Sequence, residues 1–168
     1  SQFYQQTYDD AAKVAKHFDI VSPAVRRFRY HTDPELKGEA AGWARPEFSD
    51  AAWETTDVCH ETWSTLGLHD YFKSMWYRTT VTLTAIPKDR RVFLWVGSTD
   101  GAVKVFVNGQ LVKHKGGDGK PADEVNGYCQ PFSFEVTGIA KPGANSIAIL
   151  ATRKEFNELG TGGLLAPV

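Results

Sequence analysis

The second half of the chain is punctuated by turn signals so regularly that it leaves room only for short strands. Asn108-Gly109 is the strongest of them. A two-residue type I′ hairpin needs positive φ at both central positions, and Asn followed by Gly supplies them. Pro87-Lys88-Asp89, Asp100-Gly101 and Pro142-Gly143 mark further turns. Between the turns lie stretches of strand composition. Residues 76–85 are rich in aromatic and β-branched types, 102–107 and 132–136 alternate, and 110–112 returns from the hairpin. Residues 146–152 form another strand, and 164–168 a last one. Residues 91–97 are apolar on both faces, which predicts a strand in the middle of a packed sandwich. Phe93, Trp95, Phe132 and Phe134 are expected to point into its core. Strands spaced by about eight to twelve residues, with little helix, predict an antiparallel β-sandwich.

The first twenty residues differ. Phe3, Tyr4, Tyr8, Ala11, Ala12, Ala15 and Phe18 recur at three- and four-residue spacing, which predicts one amphipathic helix closed by Ser22-Pro23. That helix either packs on the side of the domain or belongs to a preceding one. The expected organisation is a helix and linker over 1–24 and a β-sandwich over 25–168. A chain of 168 residues supports one full core and at most a small appendage.

Composition removes several classes of function. Nineteen Lys and Arg against 20 Asp and Glu give a net charge of −1, without the basic footprint of a nucleic-acid binder. An apolar content of 42% with 12% aromatics excludes disorder. No apolar run approaches the roughly 18–20 residues that span a bilayer, so no membrane partner is expected. No signal peptide is visible. The chain opens Ser1-Gln2-Phe3-Tyr4 without a Met, as expected of a processed or excised piece.

Catalytic chemistry is hard to find. The five histidines (His17, His31, His60, His69 and His114) share no motif with acids and form no i, i+4 pair. His114-Lys115-Gly116-Gly117-Asp118-Gly119-Lys120 is glycine-rich like a phosphate loop. It lacks the Gly-Lys-Ser/Thr ending and no helix start follows. Asp118, Asp123 and Glu124 supply carboxylates for glycoside hydrolysis only if a solvated loop happens to pair them. Cys59 and Cys129 either bond in an oxidising compartment or remain two half-buried thiols. No enzyme is expected from these residues.

An ordered series of residues carries a resemblance. It runs Tyr77-Arg78, Arg91-Val92-Phe93-Leu94, Asp100, Val105-Phe106-Val107-Asn108-Gly109, His114, Pro131 to Thr137, and Lys141 to Ala148. Upstream stand Phe28 through Gly38, Gly42-Trp43, Pro46 to Asp50, Trp53 and Trp63; Gly162 to Val168 closes the chain. Over residues 28–168 the series resembles the sugar-binding jelly-roll domain of β-galactosidase- and β-glucuronidase-type glycoside hydrolases. The resemblance implies an all-β, galactose-binding-like jelly roll attached to a catalytic domain of the same polypeptide, in a secreted, extracellular or periplasmic enzyme. It also leaves open a structural calcium ion, for which Asp33, Glu35, Asp50 and Glu135 offer oxygens. No calcium loop of recognisable spacing is present, and no other cofactor is expected.

Sugar binding has definite requirements. A pyranose presents an apolar C–H face and a crown of hydroxyls, so a site needs an exposed ring with amides, carboxylates or a guanidinium at its edge. Loops at one end of a sandwich hold such groups rigidly. The expected set is Tyr71, Trp76 and Arg78 from the stretch around the first long strand, with His114, Asp118, Asp123, Asn126 and Tyr128 from the 114–130 loop. Trp76 is either a platform or a core residue; Trp43 and Trp53 are expected in the core. The expected function is a monomeric, non-catalytic carbohydrate-binding module, with a domain that braces a catalytic neighbour as the alternative.

Overall fold

Two ten-residue strands form the centre of the molecule. In the computed structural model, which describes residues 17–115, 118–128, 130–154 and 161–168, β3 (Ser74–Leu83) and β12 (Gly143–Thr152) pair antiparallel along their whole length. On one side β12 pairs with β6 (Ala102–Val107), which also carries β7 (Gln110–Val112) and β10 (Val125–Asn126). On the other side β3 pairs with β1 (Arg27–Thr32), and β1 with the edge strand β2 (Glu54–Asp57). Three smaller antiparallel pairs complete the fold: β4 (Phe93–Val96) with β11 (Phe132–Glu135), β5 (Thr99–Asp100) with β13 (Gly163–Leu164), and β8 (His114–Lys115) with β9 (Pro121–Ala122). No helix occurs among the described residues, and the helix expected over 3–18 lies outside them apart from its last two positions.

The pleat of the large sheet sends successive side chains to opposite faces, and both faces are covered. One carries Phe28, Met75, Tyr77, Val105 and Ile149, and packs against Val96 and Phe134 of the β4–β11 layer together with Trp63. The other carries Trp76, Phe106, Ala148 and Leu150 beneath the turn-rich segment 33–53, which contributes Trp43, Ala44, Phe48 and Trp53. The antiparallel sheets thus pack as a sandwich with a second, aromatic core on its outer side. Trp43 and Trp53 belong to that second core, as expected.

The expectation for 91–97 is corrected. β4 pairs only with β11 among the described residues, and its inward residues are Leu94 and Val96. Phe93 and Trp95 face the opposite way: Trp95 is 49% exposed, and the Arg91 guanidinium lies over the Phe93 ring at 4.9 Å. A strand apolar at every position has no alternation to set its register, and a shift of one residue exchanges its faces. The segments buried on both faces are those of β3, β6 and β12.

The turns behave as their residues dictate. Asn108 and Gly109 have φ of 51° and 80°, the pair of positive values of the type I′ turn. The Asn108 side chain also donates to Ile139 O and Asn145 Oδ1 and accepts from Ser146 N, fastening the hairpin to β12. Asn145 closes the Pro142-Gly143 turn, accepting from Lys141 N and donating to Lys141 O and Gly143 O.

At the far end of the chain, Gly162 and Gly163 both have φ of 88°. A β-carbon at Gly163 would fall 2.2 Å from Tyr77 Oη and 2.3 Å from Trp63 Nε1, atoms that share a buried hydrogen bond of 2.7 Å. Gly163→Ala is therefore expected to cost about 1–3 kcal/mol of stability, read as a lower urea midpoint at unchanged m-value. An unchanged midpoint would show that this contact yields at no cost.

Candidate functional site

The registers decide which loops meet. Thr152 lies opposite both Ser74 and Ala102, and Asn126 lies opposite Ala102. The entry to β3, the entry to β6, the exit of β12 and the 114–128 loop therefore share one end of the sandwich. That loop is more ordered than its composition predicts: β8 and β9 pair as a short hairpin, and β10 adds to the main sheet. Lys154, just past β12, donates to Glu124 at 2.9 Å and ties the loop to the same end.

Two expected contact residues prove to be internal, and a third is half-buried. Trp76 has no exposed surface; it stacks on Phe106 at 5.5 Å and donates its indole N–H to Asp33 Oδ2 at 2.9 Å. It is a core residue, which corrects its placement as a platform. Arg78 is 5% exposed, and its fork is committed to Asp50 Oδ2, Trp43 O and Phe48 O, with the Phe48 ring 5.4 Å from its guanidinium carbon. Tyr71 is half-buried, edge-on to Trp63, and donates to Ser74 O; burial pushes its phenol up to about 12. For Trp76 and Arg78 the reason is the same. The segment 33–53 covers their face of β3, and it lies more than twenty residues upstream of that strand.

The loop residues divide differently. His114 is half-buried, with Nδ1 3.1 Å from Ser133 O and its ring edge-on to Phe132 and Phe134, so it buttresses the hairpin against β11. Asp118, Asp123 and Asn126 are exposed, and Tyr128 is 57% exposed. Asp118 accepts from Lys120 N, Asp123 pairs with Lys113, and Asn126 Oδ1 accepts from Tyr128 N. Of the eight expected residues, these four are open to solvent, all on one loop. Asp123 and Glu124 are bound to separate lysines.

The acids considered for calcium do not meet. Asp33 accepts from Lys37 N, Gly38 N and Trp76 Nε1; Glu35 pairs with Lys37, and Asp50 with Arg78. Glu135 is held down to about 2, chiefly by its hydrogen bond from Arg91 and then by that from Thr137. No cluster of metal-ligating side chains occurs among the described residues. Cys59 is exposed beyond β2, and Cys129 lies outside the described residues.

Two grooves open on the surface of the described residues. A polar one of about 660 Å³ runs over β1, β2 and β3, where Arg27, Arg29, Asp57 and Thr80 line it. An apolar one of about 840 Å³ lies between residues 18–25 and β4, lined by Phe18, Ile20, Trp95 and Pro167 among others. Neither was anticipated. The alternation Arg27-Phe28-Arg29-Tyr30 was the available signal for the first, since it puts two arginines on one face of a strand.

No protein-family model matches the chain. It is 24% identical over 132 residues to a β-glucuronidase of Paenibacillus borealis, a match covering 77% of this chain and 20% of that one. Its fold superposes on a β-glucuronidase of Ruminococcus gnavus with a TM-score of 0.65 at 21% identity, covering 82% of this chain and 22% of that. A β-glucuronidase of an uncultured Clostridium sp. gives 0.60 at 19% identity, covering 79% and 23%. The chain resembles one part of a β-glucuronidase. It spans about a fifth of the length of the relatives it matches. At these identities the likeness is one of fold, and an antiparallel β-sandwich is what the two share.

Proposed function

We propose that the chain is a non-catalytic carbohydrate-binding module of a larger, secreted polysaccharide-degrading enzyme, with a galactose-binding-like jelly-roll fold. Its sugar-contacting surface is the loop over 118–128. The observation that carries this is the exposed ring of Tyr128, on a loop pinned at one end of the sandwich, with the exposed polar groups of Asp123 and Asn126 on the same segment. The ring offers a stacking face for the C–H side of a pyranose, and the amide and carboxylate offer bonds to its hydroxyls. A shallow, wet site of this kind gains little beyond its desolvation cost, so its dissociation constants lie in the micromolar to millimolar range. Retention on plant and algal polysaccharides in affinity gels tests the reading, and its absence across a glycan array sinks it. Tyr128→Ala is expected to weaken retention by about 1–3 kcal/mol while leaving the thermal midpoint unchanged. Full retention by that variant would move the site elsewhere.

A second reading, that the domain braces a catalytic neighbour without binding sugar, is favoured by the apolar groove. Trp95 at 49% and Ile20 at 87% exposure are large apolar side chains left open beside it. Contiguous apolar surface of this kind marks contact with another protein surface. A bracing domain would show no glycan retention and would raise the thermal midpoint of its catalytic partner.

A further inference from the structure

The polar groove over β1, β2 and β3 has an unusual balance of charge. Arg27 and Arg29 share one face of β1, with Asp57 opposite the first and both Thr55 and Arg78 opposite the second. Most of the charges there are already matched. Asp57 is held by Arg26 through a two-pronged ion pair with contacts of 3.0 and 2.7 Å, and Asp50 is held by Arg78 at 3.0 Å. Glu61 accepts from the Thr56 hydroxyl and from Asp57 N. Arg29 spends one N–H on Trp53 O, and the Arg27 side chain has no hydrogen bond or ion pair among the described residues. The groove lining holds three arginines against three carboxylates, and Arg26, which reaches Asp57 from outside the lining, is a fourth cation. Arg27 and Arg29 thus face Glu61 alone, and the groove with its immediate surroundings carries one positive charge in excess.

We propose that this groove binds an acidic saccharide through a single sugar carboxylate. The carboxylate sits on the guanidinium groups of Arg27 and Arg29, and the Thr55 and Thr80 hydroxyls take hydroxyls of the same or the adjoining sugar. A planar carboxylate matches the guanidinium fork in both geometry and charge. One excess charge accommodates one carboxylate per site. A densely sulfated chain would in addition face Asp50, Asp57 and Glu61 across the groove. Phe28, the one Phe, Tyr or Trp side chain in the lining, is 2% exposed, so recognition is by hydrogen bonds and charge, to which the exposed His60 imidazole also contributes, instead of stacking on a large ring. The groove lies on the β1–β2 side of the main sheet, and the Tyr128 loop adjoins β6 on the other.

The test is an amide chemical-shift titration of the full chain with tri-galacturonate, its fully methyl-esterified form and a sulfated neutral trisaccharide. Shifts from the first should gather at residues 27–29, 55–57 and 79–80, and the ester should bind at least about tenfold more weakly, as expected for loss of a charge-assisted bond. Arg27→Ala, at an exposed side chain, should weaken tri-galacturonate about tenfold with an unchanged thermal midpoint, and Thr80→Val should weaken it severalfold. The proposal is overturned by an absence of shifts in the groove, by parental binding in Arg27→Ala, or by equal affinity for the ester or the sulfated sugar. Shifts confined to residues 118–128 would overturn it too, while supporting the Tyr128 surface.

Discussion

Replacing Trp76 by alanine is expected to lower the free energy of unfolding by about 3–5 kcal/mol, among the largest single-residue effects in this chain. The indole is fully enclosed, stacked on Phe106 and edge-on to Trp43, so its removal opens a cavity between the main sheet and the 33–53 segment. It also takes one of three donors from the buried Asp33 carboxylate, which keeps Lys37 N and Gly38 N. Trp76→Phe retains most of the volume and loses only the N–H, so its cost should fall to about 1–2 kcal/mol. Chemical denaturation followed by far-UV circular dichroism separates the two variants. Should Trp76→Ala cost less than about 1 kcal/mol, the ring is not the core element described here.

Arg78 governs the second large effect. Its guanidinium is the donor that satisfies Trp43 O, Phe48 O and Asp50 Oδ2 together, a second tie from β3 to the covering segment beside that of Trp76 to Asp33. Arg78→Ala leaves Trp43 O and Phe48 O without that donor beneath the aromatic layer and Asp50 without its ion pair at the groove, at an expected cost of about 2–4 kcal/mol. Arg78→Lys should recover less than half of this, because one ammonium cannot reach acceptors that a planar fork spans. Urea unfolding of the two variants measures the difference, and near-UV circular dichroism should report loosened packing of Trp43 and Trp53. Full recovery by lysine would mean that charge alone, without the fork, holds the segment.

These two residues also show where the sequence stopped being legible. Asn108-Gly109 and the Pro142 to Asn145 turn are local devices, and their backbone demands can be read from neighbouring positions. The strand pattern of 102–107 and 132–136 is legible for a related reason, since alternation reports a face directly. Trp76 at the head of a strand is different. Whether its ring meets water or protein depends on a segment some thirty residues upstream. No periodicity in β3 encodes that cover. Residues 93–96 failed for the complementary reason, because with apolar groups at every position the outward-facing Trp95 looks identical to a buried one. On the 114–130 loop, composition located an exposed polar segment with a ring in it. It could not separate His114, which props β11, from Tyr128, which faces solvent. The two arginines of β1 were visible as alternation. Their want of acidic partners was not, because Arg26 and Arg78 take the nearby carboxylates through folded geometry.

The backbone of Val25 and that of Val168 exchange two hydrogen bonds, at 2.6 and 2.9 Å. Mutual exchange of this kind is a narrow antiparallel pair, so at that point the segment just before β1 and the segment just after β13 run side by side in opposite directions. Tension applied through these two points would peel the two bonds apart like a zipper, without shearing a ladder of bonds at once. The same adjacency means that a host chain could accept the sandwich between two neighbouring residues of a surface loop with almost no change in the span of that loop.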